Sequence, residues 1–238
     1  MTVFFLNNSL VFPDPRCADS DGLVAVGGDL RLERLILAYQ NGIFPWYSER
    51  YPILWFSPDP RLIMFPDQLR VSRSLRKVIK SEVFKVRFDT CFEDVIIKCA
   101  TLKRKNQDAT WITNDMIDAY TLMHNEGFAH SVETFYGDKL VGGLYGVSLG
   151  GAFFGESMFH LMSNASKVAL YHLVEKLKSW SFDFIDSQIA SNHMKSMGAR
   201  EIDRETFLGM LKSALKRKTR RGNWNTECRL VERQTNED

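Results

Sequence analysis

The chain has 238 residues, 45% of them hydrophobic and 25% charged, with a formal net charge of +2. That length fits one large domain or two unequal ones around a substantial core, in a composition typical of soluble globular proteins. The near-neutral balance excludes a global basic field, no run of about 18 apolar residues marks a transmembrane helix, and the first residues lack a secretory pattern. Cys17, Cys91, Cys99 and Cys228 lie far apart with no Cys-x-x-Cys pair, so neither a disulfide framework nor a zinc site is expected. A reducing cytoplasm, away from membranes, is the expected setting.

Residues 1–60 read as a small N-terminal unit. Phe12-Pro13-Asp14-Pro15 and Ala25-Val26-Gly27-Gly28-Asp29 are loop-like, and a short helix follows from Leu30 to Gln40. Asn41-Gly42 stops it, since glycine takes the left-handed position past a helix end. The two prolines around Asp59 preclude a continuous helix and place a boundary at residue 60, leaving 61–234 as the larger unit and 235–238 as a tail.

Beyond Arg61 strands and helices alternate. Leu62–Phe65 is strand-like, Ser72–Lys80 a basic helix and Phe84–Phe88 a second strand. Thr90-Cys91-Phe92-Glu93 has the form of a capping box opening a helix to Leu102, and Thr113 is placed to cap a helix over 114–125 ended by Gly127. Strands at Ser131–Phe135, Leu140–Val147 and Ala152–Gly155 are joined by turns at Gly137-Asp138 and Gly150-Gly151. Ser163 or Asn164 caps a helix through Lys178, Phe182–Ile185 is a buried strand, and Thr206–Lys216 is amphipathic. A central, largely antiparallel sheet flanked by helices puts the chain in the α+β class, in the element order of GNAT-superfamily acyltransferases. Fold order alone gives no function.

Residues 141–158 hold six glycines in eighteen positions among β-branched and aromatic residues, a pattern of tight strands with bulges or close backbone approaches. Glu156 stands there as a lone charge between Phe153-Phe154 and Met158-Phe159. A carboxylate in such company needs a cationic or hydrogen-bonding partner, which makes it either a structural ion-pair member or a ligand-facing group. Asp186 and Gln188 lie at the end of a short apolar strand, where functional groups are often presented. Trp46 and Trp111 sit in irregular segments and read either as core or as platforms for a stacked base, as does Tyr39. Basic knots at Arg70–Lys80, Lys103-Arg104-Lys105 and Lys212–Arg221 are solvated faces or, taken together, a footprint for a polyanion. The histidines show no metal spacing, and no hydrolase or P-loop signature is present.

These segments together closely resemble the leucyl/phenylalanyl-tRNA–protein transferase family. The matching blocks include Gly27-Gly28-Asp29-Leu30, Gly42-Ile43-Phe44-Pro45-Trp46, Ser57-Pro58-Asp59-Pro60-Arg61, Thr110-Trp111-Ile112-Thr113, Val141-Gly142-Gly143-Leu144-Tyr145-Gly146, Gly155-Glu156-Ser157-Met158-Phe159, Asn164-Ala165-Ser166-Lys167 and Ile185-Asp186-Ser187-Gln188. The resemblance implies transfer of Leu or Phe, with Met as a further acyl group, from aminoacyl-tRNA to the α-amine of proteins beginning with Arg or Lys. No cofactor or metal takes part, and the product is marked for regulated proteolysis. It implies a monomer whose N-terminal unit helps form the aminoacyl-adenosine site. It assigns Trp46, Trp111 and Tyr39 to the terminal adenosine and Leu144, Phe153 and Leu173 to the acyl side chain. Glu156, Asp186 and Gln188 fall to catalysis and acceptor binding, and Arg76, Lys77, Lys103, Arg104 and Lys105 to tRNA phosphates. Leu144 and Leu173 stand where the best-known members have Met and Phe, and Ser191 where Asn is usual. Gln188 is expected to orient by hydrogen bonds, because a carboxamide is too weak a base to take an ammonium proton. A GNAT-type acetyltransferase is disfavoured by the lack of a glycine-rich pyrophosphate loop before Ala165. A non-catalytic RNA-binding module gives no reason for carboxylates in apolar settings.

Overall fold

The computed structural model describes residues 4–102 and 111–225. The smaller of its two sheets joins β1 (Phe4–Leu6), β2 (Leu23–Gly27), β3 (Phe44–Pro45) and β4 (Leu54–Phe56) in the order β1-β2-β4-β3. The segment read as a loop at Ala25–Asp29 thus begins inside a strand. It pairs with β1 on one side and β4 on the other, and Gly27 accepts a bond from the Trp55 indole at 2.8 Å. α1 (Leu32–Gln40) crosses behind it and stops at Gly42, whose φ of +70° and lack of Cβ let the Phe207 ring approach.

The larger sheet has seven strands: β5 (Arg61–Met64), β6 (Lys85–Phe88), β7 (Ala129–Tyr136), β8 (Lys139–Leu149), β9 (Ala152–His160), β10 (Phe184–Asp186) and β11 (Arg200–Ile202). Their spatial order is β11-β5-β10-β9-β8-β7-β6, antiparallel throughout except between β9 and β10. The helices are α2 (Arg73–Lys80), α3 (Phe92–Thr101), α4 (Asn114–Asn125), α5 (Ala165–Ser179), α6 (Asn192–Ser196) and α7 (Arg204–Ala214). The fold is α+β, its central sheet mostly antiparallel and flanked by helices.

Strand alternation divides the core. Tyr145, Phe154 and Phe184 face a cluster shared with α1, α3, α4, α7 and the small sheet, through Tyr39, Trp55, Val95, Tyr120 and Phe207. Their neighbours Leu144, Phe153 and Ile185 face the other way, onto α5 residues such as Leu173.

Of the local expectations one holds and others change in the tertiary setting. Thr113 caps α4 by accepting from the Met116 N–H. The supposed capping box at Thr90 does not form: Cys91 occupies the N-cap without a side-chain bond, and the Thr90 hydroxyl donates to Glu133 at 3.0 Å. Asn164 precedes α5 at φ +69°, also without a side-chain cap. β9 continues to His160 because β8, itself eleven residues long, offers it partners that far. β11 and α6 were not legible, being three and five residues long. Such short elements carry too little periodicity to read.

One buried ion pair ties these layers together. The Arg61 guanidinium, 1% exposed, donates to both Asp186 carboxylate oxygens at 2.9 and 2.7 Å. It lies 4.9 Å from the Phe44 ring of the small sheet and 4.5 Å from the Phe207 ring of α7. Removing one partner strands the other charge, so Arg61→Met is expected to cost about 3–5 kcal/mol in urea unfolding. Arg61→Met with Asp186→Leu should recover most of that loss. A cost below about 1 kcal/mol for the single variant would show that water reaches the pair.

Candidate active site

β9 and β10 pair only from Ala152 to Phe154 on β9. Beyond that point β9 runs on alone on this side, while β10 ends at Asp186. A cavity of about 880 Å³ opens beside this separation, lined by residues from both sides of the sheet, including Leu144, Tyr145, Phe153, Glu156, Leu173 and Gln188.

A β-bulge decides what faces it. On β8, Gly146 pairs with Gly155 and the residue before it, Tyr145, with Ser157, so Glu156 has no partner across the ladder. A bulge re-aims its extra residue, and Gly146 permits this one, because a Cβ there would meet the Phe154 carbonyl at 2.2 Å. Glu156 therefore turns toward the N-terminal side of the sheet. Its Oε1 accepts from Gln188 Nε2 at 3.0 Å and its Oε2 from the Tyr120 hydroxyl at 3.2 Å. The Tyr120 hydroxyl in turn hydrogen-bonds that of Tyr39.

Burial pushes the Glu156 carboxyl up to about 7, against the hydrogen bonds of Tyr39 and Tyr120, which favour the anion. The nearby Asp186 charge raises it further and Arg61 opposes. The two tyrosines are themselves raised well above their usual value, first by burial and then by the Glu156 charge, so they remain protonated donors.

The other expected residues fall into groups. Leu144, Phe153 and Leu173 are all buried and form the apolar end of the cavity. Gln188 is held at φ +54° by its backbone N–H donating to Asp186 Oδ1 at 2.9 Å and its carbonyl accepting from Leu62 at 3.1 Å. The expectation that Asp186 attracts a cationic acceptor needs correcting. Its carboxylate is 0% exposed and paired with Arg61, and its Oδ1 also accepts from the Gln188 N–H. Among the described lining residues Glu156 is the one carboxylate.

Tyr39, too, differs from expectation. Its ring is 1% exposed, packed 5.0 Å from Phe154, and offers no free face to a base. Trp46 is 41% exposed and edge-on to Phe56, and Trp111 is half-buried against the core; neither lines the cavity itself. Arg76 and Lys77 project from α2 into solvent. Lys103, Arg104 and Lys105 lie outside the described residues.

Two contributors escaped the sequence reading. Tyr120 shares the buried face of α4 with Met116 and Met123, a spacing that reads as plain core. Arg61 stood in a matching block without a role, and only the strand order brings it to Asp186.

Comparison with known proteins identifies the family. The family model described as leucyl/phenylalanyl-tRNA protein transferase matches residues 63–212, and that of its N-terminal domain matches 28–59. A leucyl/phenylalanyl-tRNA–protein transferase of Syntrophobacter fumaroxidans is 55% identical over 211 residues, covering 89% of this chain and 90% of the relative. Namesakes from Thermodesulfovibrio yellowstonii and Myxococcus xanthus are each 53% identical, covering 95% and 90% of this chain and 93% and 92% of the relatives. Among solved structures, L-PGS from Bacillus licheniformis aligns at 10% identity over 79% of this chain and 71% of its own, with a TM-score of 0.41. A GCN5-related N-acetyltransferase from Kribbella flavida aligns at 8% identity over 69% and 58%, with a TM-score of 0.35. The family matches make the protein an aminoacyltransferase. It belongs to the leucyl/phenylalanyl-tRNA–protein transferase family.

A carboxyl raised by folding binds its proton more tightly in the folded state, so its contribution to stability is lost as pH rises through about 7. Glu156→Gln removes that dependence. It should melt higher than the parent at pH 8, by roughly 2–4 °C for each kcal/mol recovered, and the gap should close by pH 5. Equal melting curves at both values would contradict the raised carboxyl.

Proposed function

We propose that the protein transfers a leucyl or phenylalanyl group from aminoacyl-tRNA to the α-amine of proteins with N-terminal Arg or Lys, and that Glu156 takes the amine's proton. The observation that carries this reading is a carboxyl near pKa 7 set on a bulge between an apolar pocket and a fixed amide. A free α-ammonium titrates at about 7.7–8.0, so donor and acceptor of that proton are closely matched.

In this reading the acyl side chain enters among Leu144, Phe153 and Leu173, which brings its ester carbonyl to the level of Glu156 and Gln188. The terminal adenosine stacks on Trp111 and Trp46, so that residues 1–60 contribute to the donor site, while Arg76 and Lys77 meet tRNA phosphates. The acceptor's ammonium is drawn to Glu156, gives it a proton, and the free amine attacks the ester carbon. A C–N bond forms, the C–O bond to the ribose breaks, the nitrogen's second proton passes to the departing oxygen through the adjacent ribose hydroxyl, and the proton held on Glu156 is released to solvent. Gln188, held by Asp186 and Arg61, keeps Glu156 aimed at the amine. Because the ester is already activated, positioning supplies most of the acceleration.

Two outcomes are expected. The kcat/KM for an Arg-starting peptide should rise with pH through about 7, since the anion is the active form. Glu156→Gln should lower it by about 10²–10⁴-fold and remove that limb. A variant retaining the limb near full rate would move the proton to another group. Trp111→Ala should raise KM for the aminoacyl-tRNA several-fold, in line with a stacking worth about 1–3 kcal/mol. Normal donor kinetics with a sharp fall in melting temperature would return this tryptophan to the core.

A further inference from the structure

We propose that Trp224 sets the depth of the acyl side-chain pocket by bracing the Phe153 ring from behind, and so governs which acyl groups the donor can carry. The inference rests on the reading of Leu144, Phe153 and Leu173 as that pocket. Trp224 lies beyond residue 212, where the family match ends, and it does not line the cavity.

Phe153 is 0% exposed except as cavity wall, and two things confine its ring. One is the bare backbone of Gly146, where an added Cβ would stand 2.6 Å from a ring carbon. The other is the Trp224 indole, 3% exposed, with ring centroids 5.9 Å apart. Retraction of Phe153 away from a bulky acyl group is therefore opposed by an indole that is itself buried and packed. Its one face stacks on His130 at 3.7 Å and 10°, and Trp180 meets it edge-on at 5.0 Å.

The chain leading to Trp224 is anchored along its length. Gly150 donates to Thr219 at 3.0 Å, Arg221 donates to the Glu126 carbonyl at 2.7 Å, and Gly222 passes backbone to backbone against Gly127. Asp89 completes the anchor, accepting from the Trp224 N–H at 2.7 Å, the Ser131 N–H at 2.8 Å and His130 Nδ1 at 2.9 Å. Trp224 is thus a positioning residue: it acts on the acyl group only through Phe153.

Steady-state kinetics of the full chain with Phe-, Leu- and Trp-tRNA donors test this. Trp224→Leu gives the Phe153 ring room to withdraw, so the ratio of kcat/KM for Phe-tRNA over Leu-tRNA should rise at least about fivefold, and Trp-tRNA should become a donor. One methylene of room in an apolar pocket is worth about 10–200-fold in discrimination, so a shift of this size is readable. Trp224→Phe keeps a ring against His130 and should move the ratio the same way by less, which preserves the test if the leucine variant fails to fold. An unchanged ratio in a folded variant, however much total activity or melting temperature falls, would overturn the proposal. Leu144→Ala serves as the reference. A ratio shifted by Leu144→Ala but not by the Trp224 variants refutes the brace alone, and a ratio indifferent to Leu144→Ala refutes the pocket.

Discussion

Glu156 places an ionisable carboxyl inside an apolar wall, and much of the structure around it answers that constraint. Burial raises the cost of its charge, so hydrogen-bond donors must be brought to both oxygens. Tyr120 arrives from α4 and is itself bonded to Tyr39 of α1, while Gln188 arrives from the end of β10. Gln188 in turn depends on Asp186, Asp186 on Arg61, and Arg61 on the rings of Phe44 and Phe207. Starting from one carboxylate, this series of contacts reaches the small sheet, the large sheet and three helices.

The opposing influences on Glu156 explain why its affinity for a proton is intermediate. Burial alone favours the neutral acid, whereas the tyrosines and Arg61 favour the anion. Hydrogen-bond donors to the anion and burial thus act in opposite directions on the same group. The same pair of tyrosines that fills the core also holds the site near neutrality.

The separation of β9 from β10 lets the two faces of one sheet do different work. Glu156, Gln188 and the Arg61–Asp186 pair belong to the face covered by α1, α4 and the small sheet. Leu144, Phe153 and Leu173 belong to the face covered by α5. The polar and the apolar residues around the cavity thus lie on opposite faces of the sheet.

The sequence by itself determined the class of fold, the central meander, the helix ended by Gly42, the cap at Thr113 and the family. These are local matters of periodicity, turn glycines and blocks of adjacent residues. It also marked Glu156 as anomalous, because a lone charge among phenylalanines is visible in one dimension. What it left open was who partners whom. Asp186 looked available to a cation until β5 came to lie beside β10 and delivered Arg61 from 125 positions away. Tyr39 was open to core or stacking until α1 packed against α4, and the spacing of Tyr120 with Met116 and Met123 reads as ordinary core. Only the tertiary structure decided these roles, since strand order and a one-residue bulge set which side chains meet across distances that no spacing in the sequence encodes.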